Sequence, residues 1–75
     1  MPKLPILSGK ELVSVLAKLG YAIDHQTGSH MILRQTQEPY RRLTVPNHRE
    51  LSKGTLRAII RQAGISREEF ERLLQ

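Results

Sequence analysis

The chain has 75 residues, no cysteine, and twelve Lys and Arg against seven Asp and Glu, a net charge of +5. A single domain of this size buries only about 60–65% of its unfolded surface, so its core is thin, and without cysteine it has neither disulfides nor thiolate metal ligands. No apolar run approaches the roughly 20 residues of a membrane span, and "MPKLPILSG" is too short an apolar stretch for a signal peptide, so the expectation is one soluble, cytoplasmic domain over residues 1–75.

"SGKELVSVLAKLG" (8–20) predicts the first helix. Ser8 and Glu11 make a capping box, and Leu7 and Leu12 a hydrophobic staple. Leu12, Val15, Leu16 and Leu19 form one apolar stripe. Gly20 supplies a left-handed stop, with Lys18 near the carbonyl end.

Three strands are expected next. "YAIDH" (21–25) alternates Tyr21 and Ile23 against Ala22 and Asp24. "TGS" (27–29) is a turn in which Gly28 is free to take a positive φ. "HMILR" (30–34) is apolar on both faces, as a central strand is. "QTQEPY" (35–40) is a polar connection. "RRLTV" (41–45) alternates again and ends at Pro46, which has no N–H to donate.

"NHREL" (47–51) reads as a loop, and Ser52 as the N-cap of "KGTLRAIIRQAG". There Leu56, Ile59, Ile60 and Ala63 fall on one face and Gly64 stops the helix. The last element repeats the grammar of the first, with Ser66 and Glu69 as capping box, Ile65 and Phe70 as staple, and Leu73 and Leu74 completing the stripe. The order α-β-β-β-α-α predicts an α+β domain: a three-stranded antiparallel sheet with helices packed on one face. Two helices cross that face and the third is an end-piece, the layout of double-stranded RNA-binding domains.

The charge is segregated. The tail 66–75 holds Arg67 and Arg72 against Glu68, Glu69 and Glu71, which leaves ten basic and four acidic residues in 1–65, a net +6. A small basic body suits a polyanion, most simply nucleic acid, because neutralising phosphates releases counterions. An ordinary solvated face is the alternative.

Reactive groups are few. No GxxxxGK[ST] loop is present. The acids mostly sit at helix starts, where capping accounts for them, and Asp24 alone lies in the strand region. A carboxylate pair for two-metal chemistry is hard to assemble. His25, His30 and His48 remain. Their spacings of 5 and 18 give no helical pair, so no metal set is expected, although His25 and His30 flank the same turn. Histidine needs no metal to act as general acid or base, and RNA carries its own nucleophile, the 2′-hydroxyl. His30 is therefore either a base for internal attack or a hairpin residue bonded to a nearby carbonyl. Arg34 shares its strand face, and Arg41 and Arg42 begin the next strand. Lys53 sits in the first turn of the second helix, where free N–H groups attract anions, and Arg57 and Arg61 follow it at four-residue spacing.

The chain resembles the HicA (YcfA-like) family, toxins of type II toxin–antitoxin systems. The pieces that match are a first helix ending in "KLGY" (18–21), "GSH" (28–30) before an apolar strand, "VPNH" (45–48) and "LSKGTLRAIIRQAGIS" (51–66), the most specific. The resemblance implies a fold like that of double-stranded RNA-binding domains and a metal-independent ribonuclease that cleaves mRNA and arrests growth. It gives His30 the catalytic role and makes Gly28 and Ser29 the turn that presents it. His48 matches a recurrent position, structural or phosphate-binding. The implied partner is a HicB-like antitoxin that covers the active face in a hetero-oligomer. Only Met31 follows His30, so the motif holds one histidine. That lone group serves as both base and acid, or water protonates the leaving 5′-oxygen.

Two other readings stand beside this one. One is a non-catalytic double-stranded RNA-binding module that uses Lys53, Arg57 and Arg61 on phosphates. The other is an interaction subunit whose basic face meets an acidic protein.

Overall fold

The computed structural model describes residues 5–74; residues 1–4, the opening of the stretch weighed above as a signal peptide, and residue 75 lie outside it. Helix α1 (Gly9–Ala17) is followed by strands β1 (Tyr21–Gln26), β2 (His30–Gln35) and β3 (Arg42–Pro46), then helices α2 (Lys53–Gln62) and α3 (Arg67–Leu73). This is the expected α-β-β-β-α-α order. The strands form one open antiparallel sheet in the order β1-β2-β3, so β2 is central, in keeping with its apolar run. Among the described residues, no helix is long and apolar enough to cross a membrane.

Each helix starts where its cap requires. Ser8 Oγ accepts the Glu11 N–H at 3.0 Å, and the Glu11 carboxylate accepts the Ser8 N–H at 2.9 Å. Hydrogen bonding to the Ser8 N–H first, and to the Ser8 hydroxyl second, holds the Glu11 carboxyl below its usual range. Ser66 and Glu69 repeat the pair at 3.0 and 3.3 Å, and Ser52 Oγ accepts the Thr55 N–H at 3.1 Å. Gly20 and Gly64 end their helices in the left-handed region, at φ of 89° and 75°. Lys18 does more than sit near the carbonyl end of α1, because its ammonium donates to the Leu73 carbonyl and ties α1 to α3.

One core holds the layers together. Tyr21, Met31, Leu33, Leu43 and Val45 from the sheet meet Leu12, Val15 and Leu16 of α1, Leu56, Ile59 and Ile60 of α2, and Phe70 of α3. Phe70 is fully buried, which anchors the shortest helix. Leu51, expected in a loop, is buried too, and its N–H donates to the Leu7 carbonyl at 2.8 Å. The Tyr21 hydroxyl is buried without a hydrogen-bond partner. Burial pushes this phenol above its usual value, and the nearby Arg41 charge partly opposes the rise. The Arg41 guanidinium also lies against Gly64, whose positive φ of 75° favours glycine. A cation at the C-terminal end of α2 meets the negative end of the helix dipole.

The helices cover only one face of the sheet. On the other, His30, Arg34, Arg42 and Thr44 are exposed and Ile32 is half-buried. The β1 register alters this face. Tyr21, Ala22 and Ile23 pair with Gln35, Arg34 and Leu33, but then His25 pairs with Ile32 and Gln26 with Met31. Asp24 is the extra residue of a β-bulge. Simple alternation groups His25 with Tyr21 and Ile23; the bulge instead sets it opposite Ile32, on the uncovered face.

Candidate active site

The site is built on the turn between β1 and β2. Thr27 closes it: its N–H donates to the His30 carbonyl at 2.8 Å, and its hydroxyl oxygen accepts the His30 N–H at 3.0 Å. The residue after β3 clamps it from the side. Asn47 donates its N–H to the Ser29 carbonyl at 2.8 Å, and its side-chain amide reaches the Gly28 carbonyl at 3.5 Å. Pro46 pairs with His30 across the ladder, so the lack of an N–H at Pro46 is tolerated at the strand's last residue. Sequence reasoning misses Thr27 and Asn47 as site residues. Threonine and asparagine near a glycine are common turn chemistry, and that is the only signal they give.

Gly28 differs from expectation. It is not among the residues with positive φ, and a Cβ there would meet open space. The hydrogen bonds from Thr27 and Asn47 set the turn without a left-handed residue. What glycine leaves at this position is bare, approachable backbone.

His30 projects from the first position of β2 and is exposed. Its Nδ1 lies 3.0 Å from Ser29 Oγ. Bonding one ring nitrogen fixes the ring and leaves the other nitrogen, Nε2, facing outward. When Nδ1 carries the proton and donates to Ser29, Nε2 is a free base. In the other tautomer, the Ser29 hydroxyl donates to Nδ1 and Nε2 carries the proton.

Further along the same face, Arg34 lies directly opposite Arg42. Like charges in opposed positions disfavour a sheet, so this pair is suited to an anion lying across it. The sequence marks Arg42 only as the start of a strand; its place in the site comes from the register. A depression beside Arg34 is lined by Ala22, Ile23, Asp24, Arg34 and the exposed Tyr40.

The other expected site residues lie elsewhere. Lys53, Arg57 and Arg61 are exposed on α2, in the helical layer. Arg57 and Arg61 line a shallow groove with Ile60, Ile65 and Arg67 that includes no sheet residue. The structure therefore does not bring the α2 stripe together with His30. His48 has an exposed side chain, while its carbonyl accepts the Gly9 N–H at 2.9 Å and so seats the start of α1. Among the described residues, no three His, Asp or Glu side chains converge as a metal set.

The family model for the HicA toxin of bacterial toxin–antitoxin systems matches residues 9–65, well over half of the chain. The chain belongs to the HicA toxin family. No curated protein matches it. Membership assigns this HicA-family chain a toxin's role in a toxin–antitoxin system, and with that an antitoxin as partner. The matched span runs from the first residue of α1 past the end of α2, so it includes the His30 turn, the whole sheet and the α2 stripe.

Proposed function

We propose that this toxin is a metal-independent endoribonuclease that cleaves mRNA in the cytoplasm, with His30 as the general base. The observation that carries the reading is the Ser29–His30 bond, which leaves Nε2 open on an uncovered face where Arg34 opposes Arg42. In the reaction, Nε2 removes the proton of a ribose 2′-hydroxyl, and the resulting oxygen attacks the adjacent phosphorus. The nucleophile is already attached to the substrate, so positioning supplies much of the rate. Arg34 and Arg42 hold backbone phosphates, and the exposed Tyr40 offers a ring on which a base stacks. The bare backbone at Gly28 lets the strand approach the turn. His48, Lys53, Arg57 and Arg61 are additional phosphate contacts outside this face. A HicB-like antitoxin inhibits the enzyme by lying over the His30 face in a hetero-oligomer.

The test is cleavage of an end-labelled mRNA by the wild-type chain and by His30→Ala. Removing one acid–base group costs about 10²–10⁴ in rate, and an exposed side chain at a turn contributes little to the core, so the variant should stay folded. Products should end in a 2′,3′-cyclic phosphate or 3′-phosphate, and RNA methylated at every 2′-oxygen should resist. Wild-type rates in folded His30→Ala, or 3′-hydroxyl ends, contradict the assignment. RNA binding without cleavage by the wild-type chain would point to the non-catalytic binding module.

A further inference from the structure

Internal attack by a 2′-oxygen expels the 5′-oxygen of the next nucleotide, which leaves readily only if it gains a proton. His30, acting as base, holds the wrong protonation state to supply one at that moment. A second group is needed on the same face, and the β1 bulge brings one there. His25 opposes Ile32, and His30 lies two residues before Ile32 on β2. The two histidines are therefore diagonal neighbours, a relation that sets backbones about 7–8 Å apart with side chains somewhat closer. That gap admits a phosphate between the rings. Both side chains are exposed. Without the extra residue Asp24, period-two alternation puts His25 on the helix-covered side.

Resting on the ribonuclease reading, we propose that His25 is the general acid of the reaction, paired with His30 as the base. The 2′-oxygen forms a bond to phosphorus, its proton passes to His30 Nε2, and the P–O5′ bond breaks as the 5′-oxygen takes a proton from the His25 imidazolium. The products are a 2′,3′-cyclic phosphate and a 5′-hydroxyl. The two histidines exchange protonation states, and solvent restores them. The charged residues that share this open face are Arg34 on β2 and Arg42 on β3, with Asp24 next to His25 on the bulge. The helices lie behind the sheet and contribute none.

The experiment compares two short RNAs of one sequence, one ordinary and one with sulfur in place of the bridging 5′-oxygen at the scissile bond. A thiolate leaves without help from an acid. His25→Ala should slow cleavage of the ordinary RNA by about 10²–10⁴ and leave cleavage of the sulfur-bridged RNA near the wild-type rate. It should also remove the alkaline fall of the pH–rate profile, which arises from an acid losing its proton. His30→Ala should slow both RNAs. Circular dichroism establishes that both variants are folded, and His25→Gln gives a second acid-free side chain of similar size. If His25→Ala and His25→Gln cut ordinary RNA at wild-type rates, or lose equal activity on both RNAs, the acid role is overturned while the ribonuclease reading stands. If the wild-type chain cuts neither RNA, the ribonuclease reading itself fails.

Discussion

Gly9 and Pro46 meet so closely that a Cβ on Gly9 would collide with the Pro46 carbonyl. The contact joins the start of α1 to the end of β3, and Pro46 is the ladder partner of His30. In the sequence Gly9 is only the first residue of a helix, where any small residue serves. Its function here is to let the helix press on the strand end that backs the His30 turn.

Gly9→Ala is therefore expected to destabilise the domain by about 1–3 kcal/mol, the usual cost of overpacking, even though alanine favours a helix by up to about 1 kcal/mol over glycine. Urea unfolding measures it. A stabilised variant would mean that α1 shifts freely.

How legible the molecule is in its sequence depends on whether a feature is local. The helices are written in short-range code: Ser8 with Glu11 and Ser66 with Glu69 form the bonds that their spacing predicts. The central place of β2 follows from its apolar run. The Asp24 bulge is different, because an extra residue appears only when β1 is paired against β2. The opposition of Arg34 and Arg42, the clamp of Asn47 on the turn and the seat of Arg41 at Gly64 likewise join residues distant in the chain. The candidate histidine, His30, is legible as a candidate; the groups that hold it and the second histidine on its face depend on register.

Ser29→Ala should leave the fold intact and free the His30 ring to rotate. Losing one net hydrogen bond of about 0.5–1.5 kcal/mol corresponds to a fall in cleavage rate of about 2- to 12-fold, far less than for His30→Ala. Single-turnover cleavage at saturating enzyme reads this directly. An unchanged rate would show that the hydroxyl does not orient the ring.

Tyr21 sets the response to alkali. Its phenol is raised above the ordinary value of about 10 because burial disfavours the anion. Below pH 10 the phenol is protonated in both states and adds no pH dependence. Between the unfolded value and the higher folded one, only the unfolded chain loses the proton, so stability falls as pH rises. Tyr21→Phe should abolish that part of the alkaline loss and be near neutral at pH 7, since it removes a hydroxyl without a partner. Thermal unfolding at pH 7 and at pH 10–11 provides the comparison.

Replacing Lys53, Arg57 and Arg61 together by glutamine should weaken binding on every RNA tested and flatten its salt dependence. The log–log slope should drop by roughly 0.7 for each single-strand phosphate that is no longer neutralised. Cleavage within a saturated complex should change much less than for His30→Ala. The alternative is that the α2 stripe meets only the antitoxin; the triple variant then lowers antitoxin affinity and leaves the RNA isotherms unchanged. Titrations with both partners at two salt concentrations separate these outcomes.

The uncovered sheet face has a consequence for how such a protein changes over time. Met31, Leu33, Leu43 and Val45 hold the molecule together on one side of the backbone, while Ile32, Arg34, Arg42 and Thr44 occupy the other. The core and the open face thus share a main chain and almost no side chains. Substitutions on the outer set are insulated from the core, so a lineage can change what this face meets without first risking collapse.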